Sequence, residues 1–101
     1  MSNESTVREA AYAGTWYSDN PAELERNIRE YMASAPQLES TPRMLISPHA
    51  GHPYSGPVAG KGYGTLKGII DKVILLGPSH RVRIAGAVVP SADSFETPLG
   101  T

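Results

Sequence analysis

Two histidines that follow short apolar runs are the residues best placed to do chemistry. Residues 44–46 lead through a serine and a proline to His49, and residues 73–76 lead through Gly-Pro-Ser to His80. Both runs are continuously apolar, which is typical of strands covered on both faces in a parallel sheet. The carboxyl ends of such strands form the edge at which α/β folds bind ligands. We therefore expect both imidazoles at one edge, where they would supply part of a metal site with open coordination positions. A histidine in a loop is also an ordinary surface residue, and the residues alone leave both interpretations open.

Other candidate binding residues have equally ordinary explanations. His52 follows His49 closely and precedes Pro53, so we expect a loop residue that lines the pocket without being a metal ligand. The pair Trp16-Tyr17 favours an N-terminal segment anchored on the core over a binding platform. Tyr54 could donate a hydrogen bond to a ligand or pack beneath its loop.

Two arginines follow His80 and raise the question of an anionic ligand. Arg81 and Arg83 carry the charge that would attract one. A solvated loop is the interpretation that the sequence favours for both.

The helices and strands that would position these residues can be predicted from the sequence, and together they indicate an α/β fold. Asn20 as cap, Pro21 in the first turn and Glu23 three residues after the cap predict a helix over 21–34. Its apolar stripe comprises Leu24, Ile28, Tyr31, Met32 and Ala35.

A βαβ unit is expected downstream. Strands are predicted at 44–46 and 73–76, with a third over 86–89. Between the first two, residues 56–66 predict a helix whose glycines would let it pack closely on the sheet. The expected architecture is a βαβ-containing parallel sheet with flanking helices and a right-handed crossover.

Composition narrows the class of protein. The 101 residues are 40% hydrophobic and 19% charged, with nine basic and ten acidic residues and a net charge of −1. This balance argues against nucleic-acid binding, which favours a basic excess. There is no cysteine, and no apolar run approaches the roughly 20 residues that span a bilayer. The start has no basic region followed by an apolar stretch, so we expect a cytoplasmic chain with no membrane insertion.

Four motif blocks in this order resemble the Memo family. They are Arg8-Glu9-Ala10 with Ala13-Gly14-Thr15-Trp16-Tyr17, Pro48-His49-Ala50-Gly51 with Tyr54-Ser55-Gly56, Leu76-Gly77-Pro78-Ser79-His80, and Thr97-Pro98-Leu99-Gly100. The resemblance implies an α/β fold like that of class III extradiol dioxygenases, the LigB-like group. It identifies residues 1–101 as the N-terminal third of one such domain.

The resemblance also implies roles for particular residues. His49 and His80 match the family's two metal-binding histidines, whereas the third metal ligand is expected beyond residue 101. Trp16 and Tyr54 match positions that line the family's pocket. Two residues depart from the pattern: His52 stands where the family usually has tyrosine, and Tyr12 where it often has histidine.

The function expected from this resemblance is that of an iron- or copper-dependent oxidoreductase related to extradiol dioxygenases, acting on a small aromatic molecule without an organic cofactor. The alternative is a non-catalytic module that recognises a (phospho)peptide in the same pocket through Trp16 and Tyr54. The 101 residues by themselves are expected to be inactive, to bind metal weakly and to self-associate.

Overall fold

Two helices and a two-stranded parallel sheet make up the regular structure of residues 5–101, the part of the chain that the computed structural model describes. In chain order these are β1 (Val7–Arg8), α1 (Pro21–Ala33), α2 (His52–Tyr63) and β2 (Ser94–Phe95). The two strands pair in parallel, with Val7 opposite Ser94 and Arg8 opposite Phe95. The α/β class expected from the sequence is confirmed.

Helix α1 forms where its capping residues predict it. The Asn20 side chain accepts a hydrogen bond of 3.0 Å from the backbone N–H of Glu23, and Pro21 occupies the first turn. This contact satisfies one of the backbone donors that a helix N-terminus leaves free. The helix ends at Ala33, one residue before the predicted end, and Leu24 is its buried residue at 3% exposure. Neither α1 nor α2 combines the length and the apolar character that a bilayer crossing requires.

Helix α2 contacts α1 through a row of glycines spaced four residues apart. A Cβ atom at Gly56 would lie 2.7 Å from Cε2 of Tyr31, and one at Gly60 would overlap the backbone carbonyl of Tyr31. A Cβ atom at Gly64 would overlap that of Ala35. Residues four apart share a helix face, so this row is a continuous surface on which the α1 backbone approaches closely. Close packing of the glycines was expected against a sheet, and that expectation was wrong because their partner is α1.

The start of α2 also differs from the prediction. The helix begins at His52 rather than near Gly56, with Gly51 as its N-cap and Pro53 in its first turn. A proline is compatible with the first turn because the N–H that it lacks has no partner within the helix there. Pro57 lies inside the helix, where it removes a backbone donor. The helix thus starts four residues before the predicted range of 56–66.

The three predicted strands, 44–46, 73–76 and 86–89, are wrong for the described residues. None of them forms a strand within 5–101, and Ile46, Leu76 and Val89 are 98%, 88% and 84% exposed. A strand exists only when another backbone lies alongside it in hydrogen-bonding register, a condition that an apolar run cannot supply by itself. The predicted βαβ unit is therefore not formed by residues 5–101.

Side chains as well as backbone groups form hydrogen bonds between the two strand segments of the observed sheet. The backbone N–H of Thr6 donates to Oδ2 of Asp93 at 2.8 Å, and the backbone N–H of Asp93 donates to Oγ1 of Thr6 at 3.2 Å. The N–H of Glu96 donates to the carbonyl of Arg8 at 2.8 Å. The two bonds between Thr6 and Asp93 join residues 87 positions apart in sequence. Two-residue strands carry too little pattern to be predicted from sequence alone.

A glycine-to-alanine pair tests the helix contact. Gly60→Ala should lower the free energy of unfolding of the full-length protein by about 1–3 kcal/mol, because the added methyl group meets the Tyr31 backbone. Gly62→Ala is the matched control: nothing lies within 4 Å of its Cβ position, so the better helix former should be neutral or stabilising by up to about 1 kcal/mol. Equal effects in denaturant unfolding would contradict the proposed contact.

The exposed apolar runs predict self-association of the 101-residue chain expressed alone. Ile74 and Leu76 are each 88% exposed within a run that is exposed throughout. Exposed apolar segments of this kind favour association. Sedimentation should show oligomers or aggregates, and the double variant Ile74→Lys, Leu76→Lys should reduce them. A monodisperse monomer for the unmodified chain would refute the expectation.

Candidate functional site

The structure brings His49 and His80 together. Their Nε2 atoms lie 3.0 Å apart, and the ring centroids lie 5.2 Å apart with the ring planes inclined at 55°. The two residues are 31 positions apart in sequence. Their convergence, expected at the edge of a sheet, is found between two irregular segments instead. Pro48 and Pro78 stiffen the backbone just before each histidine.

The spacing of the two nitrogens is compatible with a shared metal ion. Imidazole nitrogens bind metals such as zinc at about 2.0–2.1 Å. Two nitrogens bound at that distance are about 3.0 Å apart when their bonds enclose a right angle and about 3.4 Å apart at a tetrahedral angle. The observed 3.0 Å is short enough for one ion to bind both nitrogens. An N–H···N hydrogen bond, with one Nε2 donating to the other, gives a similar distance.

No further ligand completes this pair within the described part of the chain. Residues 5–101 contain no cluster of three or more His, Cys, Asp or Glu side chains placed to hold an ion. Within this part of the chain the pair therefore consists of two imidazoles without a third such side chain beside them.

The histidine pair lies on a cleft of about 1460 Å³. Its walls come from α1, α2, the turn around residues 12–17 and the loop 78–82. Five aromatic residues line it, namely Tyr12, Trp16, Tyr17, Tyr31 and Tyr63. Tyr12 and Trp16 meet edge to face with centroids 5.5 Å apart, and Trp16 is 46% exposed. An aromatic wall of this kind binds planar, apolar groups.

His52 lies in the wall between this cleft and a second cavity of about 340 Å³, and it lines both. Its backbone N–H donates to the carbonyl of Trp16 at 2.8 Å, and its ring lies 5.6 Å from that of Tyr17 and 6.0 Å from that of Tyr31. The sequence placed His52 in an irregular loop, and this was wrong because it is the first residue of α2.

One nitrogen of the His52 ring has no partner. Nδ1 is buried and makes no hydrogen bond among the described residues. An imidazole nitrogen donates or accepts according to its tautomer, so the ring has hydrogen-bonding capacity that the described residues leave unused.

Tyr54 is not brought to the histidines. It lies on α2 two residues after His52, is 85% exposed and does not line the cleft. Residues two positions apart on a helix point in nearly opposite directions, so the helical start of α2 turns Tyr54 away from the side that His52 faces. Trp16, the other aromatic residue singled out from sequence, does line the cleft.

Residues that sequence reasoning did not single out for the site also line the cleft. Tyr31 had been assigned only to the apolar stripe of α1, and Arg8 only to a motif block. Arg81 lines the cleft whereas Arg83 does not, although both were expected in a solvated loop. The helical spacing of Tyr31 was visible in the sequence, but its contact with the α2 glycines depends on the tertiary structure.

Comparison with known proteins gives consistent results over nearly the whole chain. The model of the Memo family, described as Memo-like protein, matches residues 8–101. Protein memo-1 homolog of Caenorhabditis elegans is 36% identical over 95 residues, which is 93% of this chain and 27% of that protein. Protein MEMO1 of Xenopus laevis is 35% identical and that of Homo sapiens 33% identical, each over 98% of this chain and 34% of the relative. The chain thus spans about a third of the length of these curated relatives.

The position of His52 in the wall generates a prediction about metal content. His52→Tyr should leave the metal bound by the full-length protein unchanged, since the His49 and His80 nitrogens already face each other without it. Elemental analysis of the protein purified without added metal provides the measurement. A stoichiometric loss of metal would show that His52 is itself a ligand.

Proposed function

Because this chain belongs to the Memo family, we propose that it supplies two metal ligands and one wall of the substrate cleft in a metal-dependent oxidoreductase related to extradiol dioxygenases. The observation that carries the proposal is the 3.0 Å separation of the His49 and His80 Nε2 atoms. Imidazole nitrogens suit iron or copper. The activity belongs to the full-length protein rather than to these 101 residues.

The metal and the chain's own residues have separate tasks in this proposal. A bound iron or copper ion would supply a Lewis-acidic, redox-active centre next to the substrate. His49 and His80 hold that ion through Nε2, with Pro48 and Pro78 restricting the backbone before them. Directed, stiffly held imidazoles are what a site with open coordination positions needs.

The cleft residues bind and orient the substrate. The aromatic wall formed by Trp16, Tyr17 and Tyr31 stacks on a small aromatic molecule and excludes water from one of its faces. His52 lines the same cleft, where its imidazole hydrogen-bonds to a polar group of the ligand. These contacts fix the ring relative to the histidine pair, which is the positioning that a metal-assisted reaction requires.

A second candidate function is peptide recognition without chemistry. A cleft of about 1460 Å³ exceeds the roughly 300–1,000 Å³ typical of small-molecule sites, so it has room for a longer ligand. Trp16 is half exposed at the cleft, and Tyr54 stands exposed on the outer face of α2. In this candidate Trp16 holds an aromatic side chain of a peptide, such as a phosphotyrosine, while Tyr54, which does not line the cleft, takes no part.

Replacing the two histidines tests the proposal. His49→Ala and His80→Ala should each lower the metal content of the full-length protein at least tenfold, because each leaves only one of the paired donors. His52→Tyr is the matched histidine control, and circular dichroism checks that every variant is folded. Oxygen consumption with catechol-type substrates should disappear together with the metal.

Two results would overturn the metal-dependent function. One is that both alanine variants retain the metal content of the unmodified protein. The other is a metal-loaded protein that consumes no oxygen with any catechol yet binds a phosphotyrosine peptide in a Trp16-dependent manner, which would favour peptide recognition.

A further inference from the structure

We propose that Arg8 and Arg81 form an anion subsite of the cleft, which makes the protein selective for small aromatic carboxylates. The inference rests on the proposed function, since it takes the same cleft to be the ligand site. It adds the chemical class of the ligand and the two side chains that select it.

The charges that line the cleft are of one sign. Two arginines line it, and no aspartate or glutamate is among the described residues that do so. Within residues 5–101 the one ion pair joins Arg29 to Glu25 on the exposed face of α1. The guanidinium groups of Arg8 and Arg81 are permanently charged and have no carboxylate partner in this part of the chain. A cleft with this charge attracts anionic organic ligands.

Arg8 is held in place without being neutralised. It lies in β1, where its backbone carbonyl accepts a hydrogen bond from the N–H of Glu96. Its guanidinium carbon lies 5.8 Å from the centroid of the Phe95 ring on β2. A cation over an aromatic face keeps its full charge and its hydrogen-bond donors. Arg8 therefore lines the cleft with its charge and its hydrogen-bond donors uncommitted to a carboxylate of residues 5–101.

Arg81 links the anion subsite to the histidine pair. It directly follows His80, and a hydrogen bond from Oγ of Ser79 to the carbonyl of Val82 closes the turn that contains it. Arg83, two residues further along, carries the same charge but does not line the cleft. Arg81 is therefore the arginine of this loop that can contact the ligand, and Arg83 serves as its control in the experiment below.

The shape of the donors favours a carboxylate on an aromatic ring. A guanidinium presents two parallel N–H groups that match the two oxygens of a carboxylate. The same cleft is lined by five aromatic residues, which suit a flat ring. A benzoate-type molecule satisfies both features at once, because its carboxylate lies in the plane of its ring. A phosphate monoester is tetrahedral and carries more charge, and it is the competing ligand in the test below.

Calorimetric titration of the metal-free, full-length protein tests the subsite with benzoate, benzamide and phenyl phosphate. Benzoate should bind at least tenfold more tightly than benzamide, which has the same ring without the charge. Arg8→Gln and Arg81→Gln should each weaken benzoate binding about tenfold and leave benzamide binding within twofold. Arg83→Gln should leave both unchanged, and added salt should weaken benzoate alone.

Three results would overturn the proposal. Benzoate and benzamide could bind equally, Arg83→Gln could weaken benzoate as much as Arg81→Gln does, or phenyl phosphate could bind tenfold more tightly than benzoate. The last result would assign the subsite to phosphate esters instead.

A different result would overturn the metal proposal without affecting the anion subsite. The double variant His49→Ala, His80→Ala should retain the preference for benzoate in metal-free protein, because the arginines remain. If elemental analysis showed no metal in any form of the protein while that preference persisted, the oxidoreductase proposal would fail and the anion subsite would stand.

Discussion

The close approach of Gly60 on α2 to the carbonyl of Tyr31 on α1 sets the geometry on which the cleft depends. Only a residue without a side chain allows two helices to meet at this distance. With the helices this close, the Tyr31 ring lies over Gly56 and reaches the His52 ring. One steric constraint thereby places an aromatic side chain in the floor of the cleft and a histidine in its wall.

The same contact bears on the histidine pair through the start of α2. His49 lies three residues before His52, whose backbone N–H is bonded to the carbonyl of Trp16. The hydroxyl of Ser55 in turn bonds to the carbonyl of Ala50, which secures the segment between His49 and the helix. The direction of His49 is therefore coupled to the position of α2. His80 has no comparable support from a helix, and its segment depends on Pro78 and on the turn that Ser79 closes.

The apolar runs that precede both histidines contrast with this packed region. Ile46 is 98% exposed and Leu76 88% exposed, so neither run is packed by residues 5–101. Burying apolar surface yields about 25 cal/mol per Å², which makes these runs a strong site of association for any chain that can cover them. Such packing would also immobilise the segments that carry His49 and His80. Covering the runs and stiffening the histidine pair are therefore physically linked.

Local chemistry was enough to predict some of this structure from the sequence. The Asn20 cap and Pro21 act within one helical turn, so α1 could be predicted to within a residue of its observed end. The convergence of His49 and His80 was expected at the edge of parallel strands, and the two rings meet although residues 5–101 do not form those strands. The motif blocks and their order along the chain were sufficient to identify the family.

Only the tertiary structure decided the features that depend on distant neighbours. Whether an apolar run becomes a strand depends on a backbone alongside it, and residues 73–76 have none in residues 5–101. Whether a tyrosine on a helix faces the cleft depends on its position around the helix axis. Because α2 begins at His52, Tyr54 lies on the outer, exposed side. Arg81 and Arg83 are indistinguishable in sequence, and only the path of their loop separates them. Composition and spacing report what a residue can do, whereas packing across the chain determines which residues are in a position to do it.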